Sequence, residues 1–300
     1  MQHRIHVALL VSMLIAVAAR GQAPRTFVSS SGSDANPCSR QAPCRGFQAA
    51  ISAVAPGGEV VALDSAGYGA FVVDRSVTVT ADGVHAAITS LEQDAITMNT
   101  TASDAVVLRN LTILSTFGSG VSGVVVAGPI GKLTIDNCSF TGLQSAISFV
   151  PSTTSELHVR NTVVRSSTGG ILVLPSFGVT ALATVEDSFF DHTAAISVRS
   201  GTTGIVSRTQ AYGSTFASAG VFDAENDATA VLTLIDCVAA GNAVGISASA
   251  GGIVRAAGTT IVNNGTGLLT SSGGTIVSLK GNRLTANTTD GSFDTSVATQ

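Results

Sequence analysis

The densest group of side chains able to do chemistry is Asp191, His192, Arg199, Asp223, Glu225 and Asp227. A carboxylate of tuned pKa beside a guanidinium or an imidazole is the equipment for abstracting or donating a proton. The candidate catalytic residues are therefore Asp191, His192, Arg199 and Glu225. The same residues have a plainer reading, in which Arg199 and Glu225 form a loop ion pair and His192 is merely solvated. No regular His or Cys spacing suits a metal ion. The stretches G-G-I-V at Gly251 and S-S-G-G-T at Ser271 lack the Lys-Ser/Thr and following helix of a phosphate cradle. Neither a metal nor a cofactor is expected.

The 300 residues carry 15 Lys and Arg against 19 Asp and Glu, a net charge of −4. Only 11% are charged and 45% are hydrophobic, with no Trp. This composition excludes disorder, a charged coiled coil and the basic face that nucleic-acid binding requires. The 32 glycines lack the period of three that collagen needs. Two Tyr and no Trp cannot build the aromatic girdles of an outer-membrane barrel.

Residues 1–20 read as a signal peptide, with Arg4 ahead of an apolar run from Val7 to Ala19 that is short for a membrane span. The mature chain is thus expected to be soluble and either secreted, periplasmic or at the cell surface. Gly169–Val185 is uncharged but interrupted by Pro175 and Gly178, so no membrane association is expected after signal removal. In an oxidising compartment Cys38 and Cys44, within P-C-S-R-Q-A-P-C, are expected to form a disulfide. Closing so short a loop contributes about 2.4 kcal/mol in the chain-entropy model.

A repeat organises the rest. L-T-I-D-N-C-S-F from Leu133 aligns with L-H-V-R-N-T-V-V from Leu157, A-T-V-E-D-S-F-F from Ala183 and L-T-L-I-D-C-V-A from Leu232. Apolar residues at spacing two mark strands, and each copy then reaches a residue type that tolerates a left-handed corner. The corner column is Asn110, Asn137, Asn161, Asp187, Arg208, Asp236, Gly258 and Gly281, in steps of 21 to 28 residues. A second short strand follows each copy, as in A-I-S-F at Ala146 and G-I-L-V at Gly170. Stacked coils of parallel strands bury a core that no single coil buries alone. Cys138 and Cys237 share one column four coils apart, too far to pair, and are expected as buried free thiols. Asn282, in the same column, is expected to bond its neighbours' backbone.

Eight copies in register resemble the right-handed parallel β-helix proteins of the pectin-lyase-like superfamily. The opening T-F-V-S-S-S-G-S-D-A-N-P-C is similar to the start of secreted bacterial β-helix proteins of unassigned function. The expected fold class is all-β, a right-handed parallel β-helix solenoid with a short N-terminal capping helix. Residues 26–57 form the cap with its disulfide loop, 58–284 the β-helix and 285–300 a polar tail. Phe47, Ala50, Ile51 and Val54 give the helix its buried face, ending at Pro56-Gly57-Gly58.

The resemblance implies that an enzyme of this kind would carry clustered acids with Arg or Lys on an outer strand face. The expected outward column of the second-strand set is Val125, Ser148, Leu172, Ser197, Phe222, Ser247 and Leu269. The next is Ala127, Val150, Leu174, Arg199, Ala224, Ser249 and Ser271, which gives one charge in fourteen positions. No family calcium-binding acid, catalytic Arg or His-Gly pair can be matched, so no role is carried over. Val125, Leu172, Phe222 and Leu269 instead form a candidate apolar binding surface. Arg109, Asp136, Arg160 and Glu186 alternate in sign up another edge, as expected of a structural charge ladder. The leading expectation is a non-catalytic exported β-helix that recognises a polysaccharide or a protein. The alternative is a polysaccharide lyase or glycoside hydrolase working near Asp191, His192 and Arg199.

Overall fold

The computed structural model describes residues 22–115 and 120–297. The signal peptide expected over residues 1–20 lies outside the described residues. Each coil contributes three short strands, and each strand pairs in parallel with its counterparts in neighbouring coils. Lys132–Asp136, for example, belongs to a first sheet of 12 strands, Ser139–Thr141 to a second of 10, and Ser145–Phe149 to a third of 9. The result is a parallel β-helix. Alternation sets the faces: Leu133 and Ile135 are buried while Lys132 and Thr134 point outward. Buried Leu, Val, Ile and Phe from successive coils stack into one continuous core.

All eight expected corner residues are left-handed, with φ from 46° at Arg208 to 72° at Gly281. Asn137 donates its side-chain amide to Asn110 Oδ1 at 2.7 Å, so the corner is also tied between coils. Just inside it, Thr162, Ser188 and Thr209 each donate to the carbonyl two residues back, at 2.8–2.9 Å. Cys138 and Cys237 occupy the same column as buried free thiols. Burial pushes them up to about 12 and about 11, so neither is a ready nucleophile. Asn282 accepts from the Thr259 N–H at 2.9 Å and donates to the Ala256 carbonyl at 2.7 Å.

A second internal ladder stands at the next corner. The Asn242 N–H donates to Asn264 Oδ1, and the Asn264 N–H to Asn287 Oδ1, both at 2.9 Å. The buried Asn242 amide also donates to the Ala211 carbonyl at 3.1 Å and to Asn264 Oδ1 at 3.0 Å, which satisfies it fully.

The ladder runs past both ends of the 58–284 range. Ala23–Val28 pairs with Val54–Ala62 at the start. Arg283–Thr285 and Thr295–Ser296 extend the second and first sheets through part of the expected tail. The helix Phe47–Ala53 buries Phe47, Ala50 and Ile51. It stops before Pro56, because Val54 is already extended (φ −81°, ψ 145°) and enters the first sheet. Cys38 and Cys44 are disulfide-bonded, with Cα atoms 4.6 Å apart. Among the described residues, no helix is long and apolar enough to cross a membrane.

Candidate functional site

The outer face of the third sheet differs from the sequence expectation by one residue in one coil. Phe222 pairs with Ile196 and Ile246 and is fully buried, and Ala224 pairs with Val198 and Ala248. Asp223 takes the outward place between Ser197 and Ser247, and Glu225 follows as the residue beyond the strand. The cause is an extended connection from Gly213 to Val221 before this strand, where the preceding coil needs only His192–Ala195. The frame G-V-F-D from Gly220 therefore begins one place early, and in a strand a one-residue slip exchanges the faces. The apolar surface expected through Phe222 is interrupted by a carboxyl group. Val125, Leu172 and Leu269 are outward and half-buried, as expected.

The extended connection roofs a cleft of about 480 Å³ over this face. Phe216 and Ser218 come from the roof, Ser148, Leu172, Ser197 and Asp223 from the floor, and Gln144 and Arg199 from the flanks. Asp223 is only 2% exposed. Its carboxyl accepts from Ser197 Oγ at 2.9 Å and from Ser247 Oγ. Ser247 Oγ in turn accepts the Gly220 N–H at 2.7 Å, pinning the roof to the floor. Glycine is required there, because an added Cβ would lie 2.5 Å from the Ser247 nitrogen.

The electrostatics separate the two acids. Burial pushes the Asp223 carboxyl above the usual range, outweighing the Ser247 and Ser197 hydrogen bonds and the charge of Arg199. Arg199 is bonded to Glu225, which also accepts from Ser249 Oγ at 3.2 Å. The plainer reading of that pair is the one observed. Burial draws the Arg199 guanidinium below its ordinary value.

The candidate catalytic residues are not gathered in one place. Asp191 ends a strand of the second sheet, and His192 follows at a left-handed corner with φ 53°. They pair with each other at 2.7 Å, and neither lines the cleft that contains Arg199. Asp227 caps its own turn through the Thr229 N–H at 2.8 Å. The structure brings together Arg199, Asp223 and Glu225, and Asp223 was missed as an outward residue. Its signal was present: Ser197 and Ser247 stand at matching places in the adjoining repeats. Among the described residues, no group of three His, Cys, Asp or Glu side chains is arranged to hold a metal ion. What the cleft offers is hydroxyls, an amide, one carboxyl that is easily protonated, an aliphatic floor and an aromatic roof.

No family model matches the chain, and no curated protein matches it. Among solved structures, it is similar to the GH136 lacto-N-biosidase from Eubacterium ramulus. The selenomethionine derivative aligns with a TM-score of 0.43 at 11% identity, covering 92% of this chain and 67% of that one. The native protein aligns with a TM-score of 0.38 at 10% identity, covering 91% and 67%. At this level the likeness transfers neither a site residue nor an activity.

Proposed function

We propose that this chain is an exported β-helix protein, related to the pectin-lyase-like superfamily, that recognises a carbohydrate in the cleft over Asp223. The observation that carries the reading is the near-complete burial of Asp223 in the floor of an open cleft. A carboxyl held there without a directly bonded cation is well placed to exchange hydrogen bonds with ligand hydroxyls. Serines on either side extend the polar floor, while Leu172 and Phe216 offer apolar contact to the faces of a sugar ring. A neutral glycan fits this set, because the one cation of the cleft, Arg199, is already bonded to Glu225. The Cys38–Cys44 disulfide supports an oxidising compartment.

The test is calorimetric titration against a panel of neutral oligosaccharides. Asp223→Asn is expected to weaken binding roughly tenfold, the worth of one buried hydrogen bond. Wild-type affinity in that variant would overturn the reading.

One observation favours a second reading, glycoside hydrolysis. Asp223, raised by burial, has the character of a general acid. Glu225, two residues along the same chain and bonded to Arg199, is the second carboxyl such a reaction would use. Reducing ends released by the wild type, and lost in both Asp223→Asn and Glu225→Gln, would establish this reading over recognition alone.

A further inference from the structure

The first sheet carries a separate constellation on its outer face. Glu156 and His158 alternate with buried Leu157 and so face outward together. His158 stands beside Thr184 on the next coil. Thr184 Oγ1 lies 2.8 Å from His158 Nδ1, and His158 Nε2 lies 3.0 Å from Glu156 Oε2. Hydrogen bonds from His158 and Lys132 hold the Glu156 carboxyl below its ordinary range, so it is an acceptor only. In the neutral ring Nε2 must then carry the hydrogen. Nδ1 is left as the acceptor, and the Thr184 hydroxyl donates to it. This is the order of a nucleophile, its base and the group that orients the base. Beside it opens a cavity of about 330 Å³ whose lining includes Lys132, Thr134, His158, Arg160, Thr184 and Glu186.

We propose that Thr184, His158 and Glu156 form a nucleophilic triad that cleaves small acyl esters bound in this cavity. The Thr184 oxygen bonds to the acyl carbon while its proton passes to His158 Nδ1. The carbonyl oxygen takes up negative charge beside Lys132 and Arg160, which are paired with Glu156 and Asp136 and share the cavity with Glu186. The bond to the leaving alcohol then breaks, and the alcohol takes the proton from His158. Water, deprotonated by the same nitrogen, hydrolyses the acyl-threonine to the free acid and restores Thr184. Glu156 acts through His158 and is a positioning residue. A cluster serving cohesion alone would need the same bonds but would not make the Thr184 oxygen reactive.

The probe is p-nitrophenyl acetate, followed by background-corrected nitrophenol release and by peptide mass mapping of any acetyl adduct. The wild type is expected to show turnover and an acetyl group on Thr184. Thr184→Ala and His158→Gln should lose roughly 10²-fold in rate, the ordinary worth of general-base assistance. Thr184→Ser should retain activity, and unchanged far-UV circular dichroism in each variant separates chemistry from folding. Release that persists in Thr184→Ala, or acetyl adducts confined to lysines, would overturn the proposal. None of these readouts involves the cleft at Asp223.

Discussion

Asp136 and Asp223 are the two buried acids among the described residues, 8% and 2% exposed, and their surroundings drive them in opposite directions. Asp136 stands in the charge ladder of the first sheet, 3.3 Å from Arg109 and 3.0 Å from Arg160. Burial pushes its carboxyl up, but the Arg160 and Asn161 hydrogen bonds and the two guanidinium charges bring it below the ordinary range. Asp223 has hydroxyl partners and a cation that is bonded elsewhere, so burial prevails. Burial alone therefore does not identify a functional carboxylate. What distinguishes Asp223 is burial beside an open cavity with no guanidinium bonded to it.

The largest expected effect tests the register on which the contrast rests. Phe222→Ala should lose about 3–5 kcal/mol in denaturant unfolding, as for a fully buried aromatic. A loss below about 1 kcal/mol would return Phe222 to the surface and remove Asp223 from the cleft. Asp136→Ala comes next, at about 2 kcal/mol, because it leaves two guanidinium groups adjacent and unpaired. That figure is reduced because the Arg109 and Arg160 side chains are 40% and 53% exposed. Asn137→Ala should lose about 1–2 kcal/mol from left-handed strain, while Asn137→Gly, which relieves the strain but loses the bond to Asn110, should lose about 1 kcal/mol, read by thermal unfolding.

The smallest effect is the most discriminating. Asp223→Asn should change neutral-pH stability by less than about 1 kcal/mol, and in the stabilising direction, because it removes a charge that burial disfavours. The pH dependences of the two acids have opposite signs. Asp136 titrates lower when folded, so its contribution is complete above about pH 4 and fades as pH falls through the folded value. Asp223 titrates higher when folded, so its contribution is complete below about pH 4 and fades as pH rises through the folded value. Unfolding stabilities of Asp136→Asn and Asp223→Asn should therefore lie near the wild type in acid and diverge from it in opposite directions toward neutral pH, Asp136→Asn falling below it and Asp223→Asn rising above it.

The corners were the most legible part of the sequence. A left-handed residue is a local demand, and Asn, Asp and Gly announce it, so even the Arg208 corner follows once the column is aligned. The Asn242, Asn264 and Asn287 ladder was equally available, at 22- and 23-residue separations, but lay outside the repeat frame used to read the strands. The site was harder to read because Asp223 owes its outward place to the length of the connection before it and its burial to the roof that connection forms. Both depend on how one irregular segment packs across coils. Thr184 and His158 look like unrelated strand residues until the parallel register sets them side by side.

Carbon-13 NMR titration of aspartate side-chain carboxyls, assigned through Asp136→Asn and Asp223→Asn, follows both buried acids in one protein. The expected result is an Asp136 midpoint below that of an ordinary aspartate and an Asp223 midpoint above it. Coincident midpoints, or Asp223 titrating at or below the ordinary value, would contradict the account.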